Sequence, residues 1–69
     1  MNLTKRESDV LIFIKEFIED FGYPPTYRDI ADGLFLSSIY SVQRHVMNLV
    51  AKGYLEIVPK SHRSFKIVS

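Results

Sequence analysis

The chain contains no cysteine. That excludes disulfides, cysteine-based zinc centres and thiol nucleophiles, so the fold must be held by packing alone. Long apolar runs are also missing. The longest, Val10-Leu11-Ile12-Phe13-Ile14, has five residues, against the roughly 20 that a membrane helix requires. It follows the charged Lys5, Arg6, Glu7 and Asp9 and has no small-residue cleavage site behind it, which excludes a signal peptide. These absences point to a cytoplasmic protein with no membrane partner. There are no internal repeats, no low-complexity tracts and no linker. What remains is one domain, residues 1–69, near the lower size limit for a self-supporting core. At 46% hydrophobic and 25% charged, its composition is that of a globular chain.

Net charge is only +1, but its distribution is uneven. Residues 1–33 carry four basic and seven acidic side chains, a net of −3; residues 34–69 carry five basic and one acidic, a net of +4. A basic half beside an acidic one orients a domain toward a polyanion.

"TKRE" at 4–7 has the form of a capping box, with Thr4 as cap and Glu7 at the third helical position. Val10, Leu11, Ile14, Ile18 and Phe21 then recur on one helical face, widened by Phe13 and Phe17, and Gly22 is placed to close the helix. "GYPPTYRD" at 22–29 is a loop followed by a second start at Thr26, with Ile30, Ala31 and Leu34 on the apolar side. In "GLFLSS", residues 33–38, the turn ends at Ser37 or Ser38, either of which can cap a third helix. That helix hides Ile39, Val42, Val46, Leu49 and Val50 and ends at Gly53, with Lys52 suiting its dipole. Beyond Gly53 the period changes from 3.6 to 2. Leu55 and Ile57 face Phe65 and Ile67 across a tip, "PKSHRS". The expected class is mainly α with a small antiparallel β-hairpin: helices at 4–21, 27–34 and 39–52, strands at 54–58 and 65–68. In architecture that is a three-helix winged helix-turn-helix.

On the third helix, "SSIYSVQRHV" sets hydroxyls, an amide, a phenol and a guanidinium opposite its aliphatic stripe, where a plain solvated face favours Glu and Lys. The major groove of B-DNA, about 12 Å wide, admits one helix with short polar groups outside and aliphatics behind. Ser38, Tyr40, Ser41, Gln43, Arg44 and Asn48 are therefore the expected base-reading residues. Thr26, Tyr27 and Arg28, at the amide-rich start of the second helix, suit a phosphate. Lys52, Lys60, His62 and Arg63 extend the backbone contacts along the third helix and the wing. His45 flanks the buried stripe and is expected to be packed and hydrogen-bonded. Neither a catalytic nor a metal-ligating set is apparent: His45 and His62 lack an orienting carboxylate, and the domain is too small to enclose a pocket. No cofactor is expected.

Taken together, "LTKRESDVLIFIKEFIEDFGYPPTYRDIADGL" and "SSIYSVQRHVMNLVAKGYLEIV" resemble the N-terminal DNA-binding domain of the LexA family of SOS-response repressors. The matching features are "LTKR", "GYPPTYRDIA" and "SVQRHV" leading to "KGYLEI", and they span essentially the whole chain. The resemblance implies a repressor that reads a palindromic double-stranded operator as a dimer. By position, its base-reading helix falls on Ser38 to Asn48, its phosphate-contacting lysine on Lys52 and a wing arginine on Arg63. Tyr40 and Arg44 depart from the family's common reading sets, which leaves the operator sequence open. Where the family usually has glycine in the helix–helix turn, this chain has Phe35. Either Phe35 adopts φ > 0, at about 1–2 kcal/mol of strain, or Gly33 takes that role.

LexA proteins carry a second domain for dimerisation and Ser–Lys self-cleavage, and this chain stops at Ser69. The expectation is a non-enzyme, either an excised domain or a small bacterial, phage or plasmid regulator. A second reading is a winged-helix module that binds a host repressor or polymerase through Phe35, Tyr40 and Met47.

Overall fold

Each of the three helices starts at a hydroxyl that accepts an amide hydrogen. In the computed structural model, which describes residues 3–57 and 65–68, α1 spans Lys5–Phe21, α2 Tyr27–Gly33 and α3 Ile39–Ala51. Thr4 and Glu7 form a reciprocal capping box, with the Glu7 N–H 3.1 Å from Thr4 Oγ1 and the Thr4 N–H 3.1 Å from Glu7 Oε1. Thr26 and Asp29 repeat the arrangement at 3.0 Å in both directions. Of the two serines before α3, Ser38 is the cap, accepting from the Ser41 N–H at 3.4 Å. Caps of this kind contribute about 1 kcal/mol each.

The helix ends are equally specific. The Gly22 N–H, at φ 81°, donates to the Ile18 carbonyl and stops α1. The other two helices share one ending. After α3, the Tyr54 N–H donates to Leu49 O at 2.9 Å and the Gly53 N–H to Val50 O at 3.0 Å, with Gly53 at φ 85°. After α2, the Leu36 N–H donates to Ala31 O at 2.8 Å and the Phe35 N–H to Asp32 O at 3.4 Å. Both are Schellman motifs. The left-handed position of the second is filled by Phe35 at φ 57°. Gly33 cannot exchange roles with it, because Gly33 lies under the Phe13 ring, where an added Cβ would sit 2.1 Å from Cε2. Phe35 is also 95% exposed, so its side chain returns almost no burial for the strain. Phe35→Gly is therefore expected to raise stability by about 1 kcal/mol, or roughly 4–8 °C in Tm. Thermal melting monitored by helical circular dichroism measures the gain.

The wing strands β1 (Leu55–Ile57) and β2 (Phe65–Ile67) pair antiparallel, Leu55 opposite Ile67 and Ile57 opposite Phe65. This is the register expected from the alternation. Residues 58–64, which include Lys60, His62 and Arg63, lie outside the described residues.

Val10, Leu11 and Ile14 of α1, Ile30 and Ala31 of α2, Val42, Val46 and Leu49 of α3, and Leu55 of β1 form one core. Small Ala31, 4% exposed, is the smallest side chain in it. Two expectations need correction at its edges. Phe21 continues the periodicity of α1 but is 57% exposed, stacked on Phe17 at 4.5 Å between ring centroids instead of entering the core. Leu34 and Lys52 are C-caps, one position beyond the helices that were expected to contain them.

Candidate nucleic-acid interface

The aliphatic residues of α3 fix which side of it is open. Val42, Val46 and Leu49 are fully buried, so the helix is seated on α1, α2 and β1 along a single stripe. At 1.5 Å per residue, α3 is about 20 Å long. The residues off that stripe are its free surface. Tyr40 is 68% exposed and Met47 52%, and Gln43, Arg44 and Asn48 are exposed. Ser38 and Ser41 are half-buried at the head of the helix, the first with its oxygen engaged as the cap. The structure thus brings Tyr40, Ser41, Gln43, Arg44 and Asn48 onto one continuous face.

Near the start of α2, the Arg28 side chain is exposed while Tyr27 packs against the core and Thr26 is half-buried in its capping box. Leu36 in the turn and Ile39 at the start of α3 pack against the core beside it.

One residue that the sequence assigns only to a helix cap reaches the end of α3. Glu7, 4% exposed, spans from the head of α1 to the last turns of α3. Its Oε1 accepts from the Thr4 N–H and from the Lys52 ammonium, and its Oε2 accepts from Asn48 Nδ2 at 3.1 Å. The Lys52 ammonium and the Thr4 amide hold the Glu7 carboxyl below the ordinary carboxylate range, while burial opposes them. It is therefore ionised at neutral pH. An ionised carboxylate only accepts hydrogen bonds, so the Asn48 nitrogen must face Glu7 and its Oδ1 faces away. Nothing local in the sequence signals this network, since its partners lie 41 and 45 residues apart.

An open groove of about 380 Å³ runs beside the network, lined by Thr4, Glu7, Ser41, Arg44, His45 and Asn48. His45 corrects another expectation. It is packed, half-buried beside the stripe, but its buried Nδ1 has no hydrogen-bond partner among the described residues. Among the described residues no acidic, histidine or cysteine group could hold a metal ion, and no helix is long and apolar enough to cross a membrane.

The sequence that builds this capped helix-turn-helix pair and two-stranded wing has a match among known families. The profile of the LexA DNA binding domain matches residues 1–64. The chain belongs to the LexA DNA-binding domain family. A LexA repressor of Carboxydothermus hydrogenoformans is 40% identical over 67 residues, which is 97% of this chain and 33% of that protein. LexA repressors of Staphylococcus aureus strain Newman and Staphylococcus epidermidis are 40% and 39% identical over the same length, each with 32% of the relative covered. The chain thus spans about a third of the length of the curated relatives it matches. The LexA-family resemblance drawn from "GYPPTYRDIA" and "KGYLEI" holds across the domain. The Phe35 turn is built into an intact Schellman motif instead of replacing it.

Proposed function

We propose that this LexA-family domain binds double-stranded DNA with α3 in the major groove and represses transcription from a palindromic operator, as a dimer on two half-sites. The observation that carries the reading is the division of α3. Val42, Val46 and Leu49 of its aliphatic stripe are fully buried and Ile39 and Val50 at the edges partly so, while Tyr40, Gln43, Arg44 and Asn48 stand in solvent. Ser38, Tyr40, Ser41, Gln43, Arg44 and Asn48 would then meet base edges. Thr26, Tyr27 and Arg28, with Lys52, Lys60, His62 and Arg63, would line the phosphates on either side. The relatives' printed name, repressor, supports the regulatory role. Their bacterial origin supports a bacterial cytoplasm, whether the gene is chromosomal or carried by a phage or plasmid.

Titration against labelled duplex at two salt concentrations tests this reading. Each phosphate neutralised by a cation steepens the fall of log K with log salt by about 0.9. Salt-sensitive duplex binding is the expected result. The second reading, docking onto a host repressor or polymerase, is favoured by Phe35, which is 95% exposed in a strained turn. It predicts no duplex binding at either salt concentration.

A further inference from the structure

The charge on Lys52 is not spent on the outer surface of α3. Its ammonium lies against Glu7, and the two side chains are 22% and 5% exposed. The carboxylate cannot follow Lys52 outward. Its Oε1 is tied to the Thr4 backbone by the capping box of α1, and its Oε2 is tied to Asn48. Any phosphate approaching Lys52 therefore meets a fixed negative charge directly behind the ammonium. A cation already paired in this way brings little net charge to a phosphate and so displaces fewer of the counterions condensed on the DNA. This leaves Arg44 as the cation of α3 without an ion-pair partner among the described residues, and it lies on the outward face.

We propose that Glu7 is a specificity-determining residue of the DNA interface: its carboxylate offsets the Lys52 charge where that side chain meets the phosphates and fixes the Asn48 amide, keeping sequence-independent affinity low relative to operator affinity. The inference rests on the DNA-binding reading above. Its physical content is a subtraction. Sequence-independent binding is almost wholly electrostatic, so cancelling a backbone-directed charge lowers binding to all DNA while leaving base contacts in place. The same carboxylate aims the Asn48 oxygen outward, toward a base-edge donor such as an adenine or cytosine amino group. Glu7 touches neither base nor phosphate; it acts through Lys52 and Asn48 as a positioning residue.

Glu7→Gln tests this with little change of shape, since glutamine also completes a capping box. In the folded variant, the plot of log K against log salt for random duplex is expected to steepen by about 0.9. That is roughly eight-fold more affinity gained between 1 M and 0.1 M salt. Operator affinity should gain less, because the Asn48 amide has lost its charged acceptor, so the operator-to-random ratio falls. An unchanged slope, or equal weakening on both duplexes, overturns the proposal and makes Glu7 a structural prop. The double variant Glu7→Gln/Lys52→Gln keeps the pair neutral and serves even if the single variant does not fold. Its slope should equal that of the unsubstituted protein, and a slope flatter by about 0.9 would mean that Lys52 already delivers its full charge to phosphate. If the unsubstituted protein shows no salt-sensitive duplex binding, the DNA reading falls and takes this inference with it. Salt-sensitive binding with an unmoved slope overturns the inference alone.

Discussion

Arg44→Ala is expected to lower affinity for the preferred duplex by about 1–3 kcal/mol, roughly 5- to 150-fold, while random duplex loses far less. Arg44 projects from the exposed side of α3, and its helical neighbours Tyr40 and Gln43 share that side. A guanidinium placed there can meet O6 and N7 of one guanine with two parallel hydrogen bonds, which a phosphate contact cannot distinguish by sequence. The variant should therefore accept substitutions at one guanine of its site that the unsubstituted protein rejects. Paired titrations on the preferred and random duplexes measure the ratio. Equal loss on both would place Arg44 against the backbone and pass the reading role to Gln43 and Asn48.

Leu49→Ala should destabilise the domain by about 2–5 kcal/mol, the cost of a cavity at a fully buried leucine. For a domain of this size, every 1 kcal/mol shifts Tm by about 4–8 °C. Total stability lies near the lower end of about 5–15 kcal/mol, so much of the population would unfold near physiological temperature. Leu49 carries this weight for two reasons. Its side chain fills the junction of α3 with the core, and its carbonyl accepts the Tyr54 N–H that turns the chain into the wing. Gln43→Ala, on the exposed side of the same helix, should stay within about 0.5 kcal/mol. Urea or thermal unfolding of the two variants tests the contrast. A small loss at Leu49 would mean that α3 is held by something other than its aliphatic stripe.

How much of this was legible in the sequence follows from what is local. The capping boxes at Thr4 and Thr26 and the left-handed stops at Gly22 and Gly53 depend on residues three to five positions apart, and all four stand where the spacing put them. The buried stripe of α3 was equally readable, because periodicity and burial report the same face. Phe21 was misread for an instructive reason. It keeps the helical period, yet it is the last residue of α1, and its ring meets those of Phe17 and Tyr23 outside the core. The positive φ of Phe35 was readable only against the glycine that the family usually places there, since phenylalanine carries no turn signal of its own. The link from Glu7 to Asn48 and Lys52 was not readable at all. Nothing in a capping-box glutamate announces that tertiary packing will also bring the end of a distant helix onto its carboxylate.

The account depends most on which surface meets the duplex, and amide chemical-shift mapping of the ¹⁵N-labelled domain reads that directly. On addition of a duplex selected from a random pool, the largest changes are expected along residues 38–48 and at Tyr27 and Arg28. Changes concentrated instead on the outer side of α1, around Ile12, Phe21 and Tyr23, with α3 undisturbed, would contradict it.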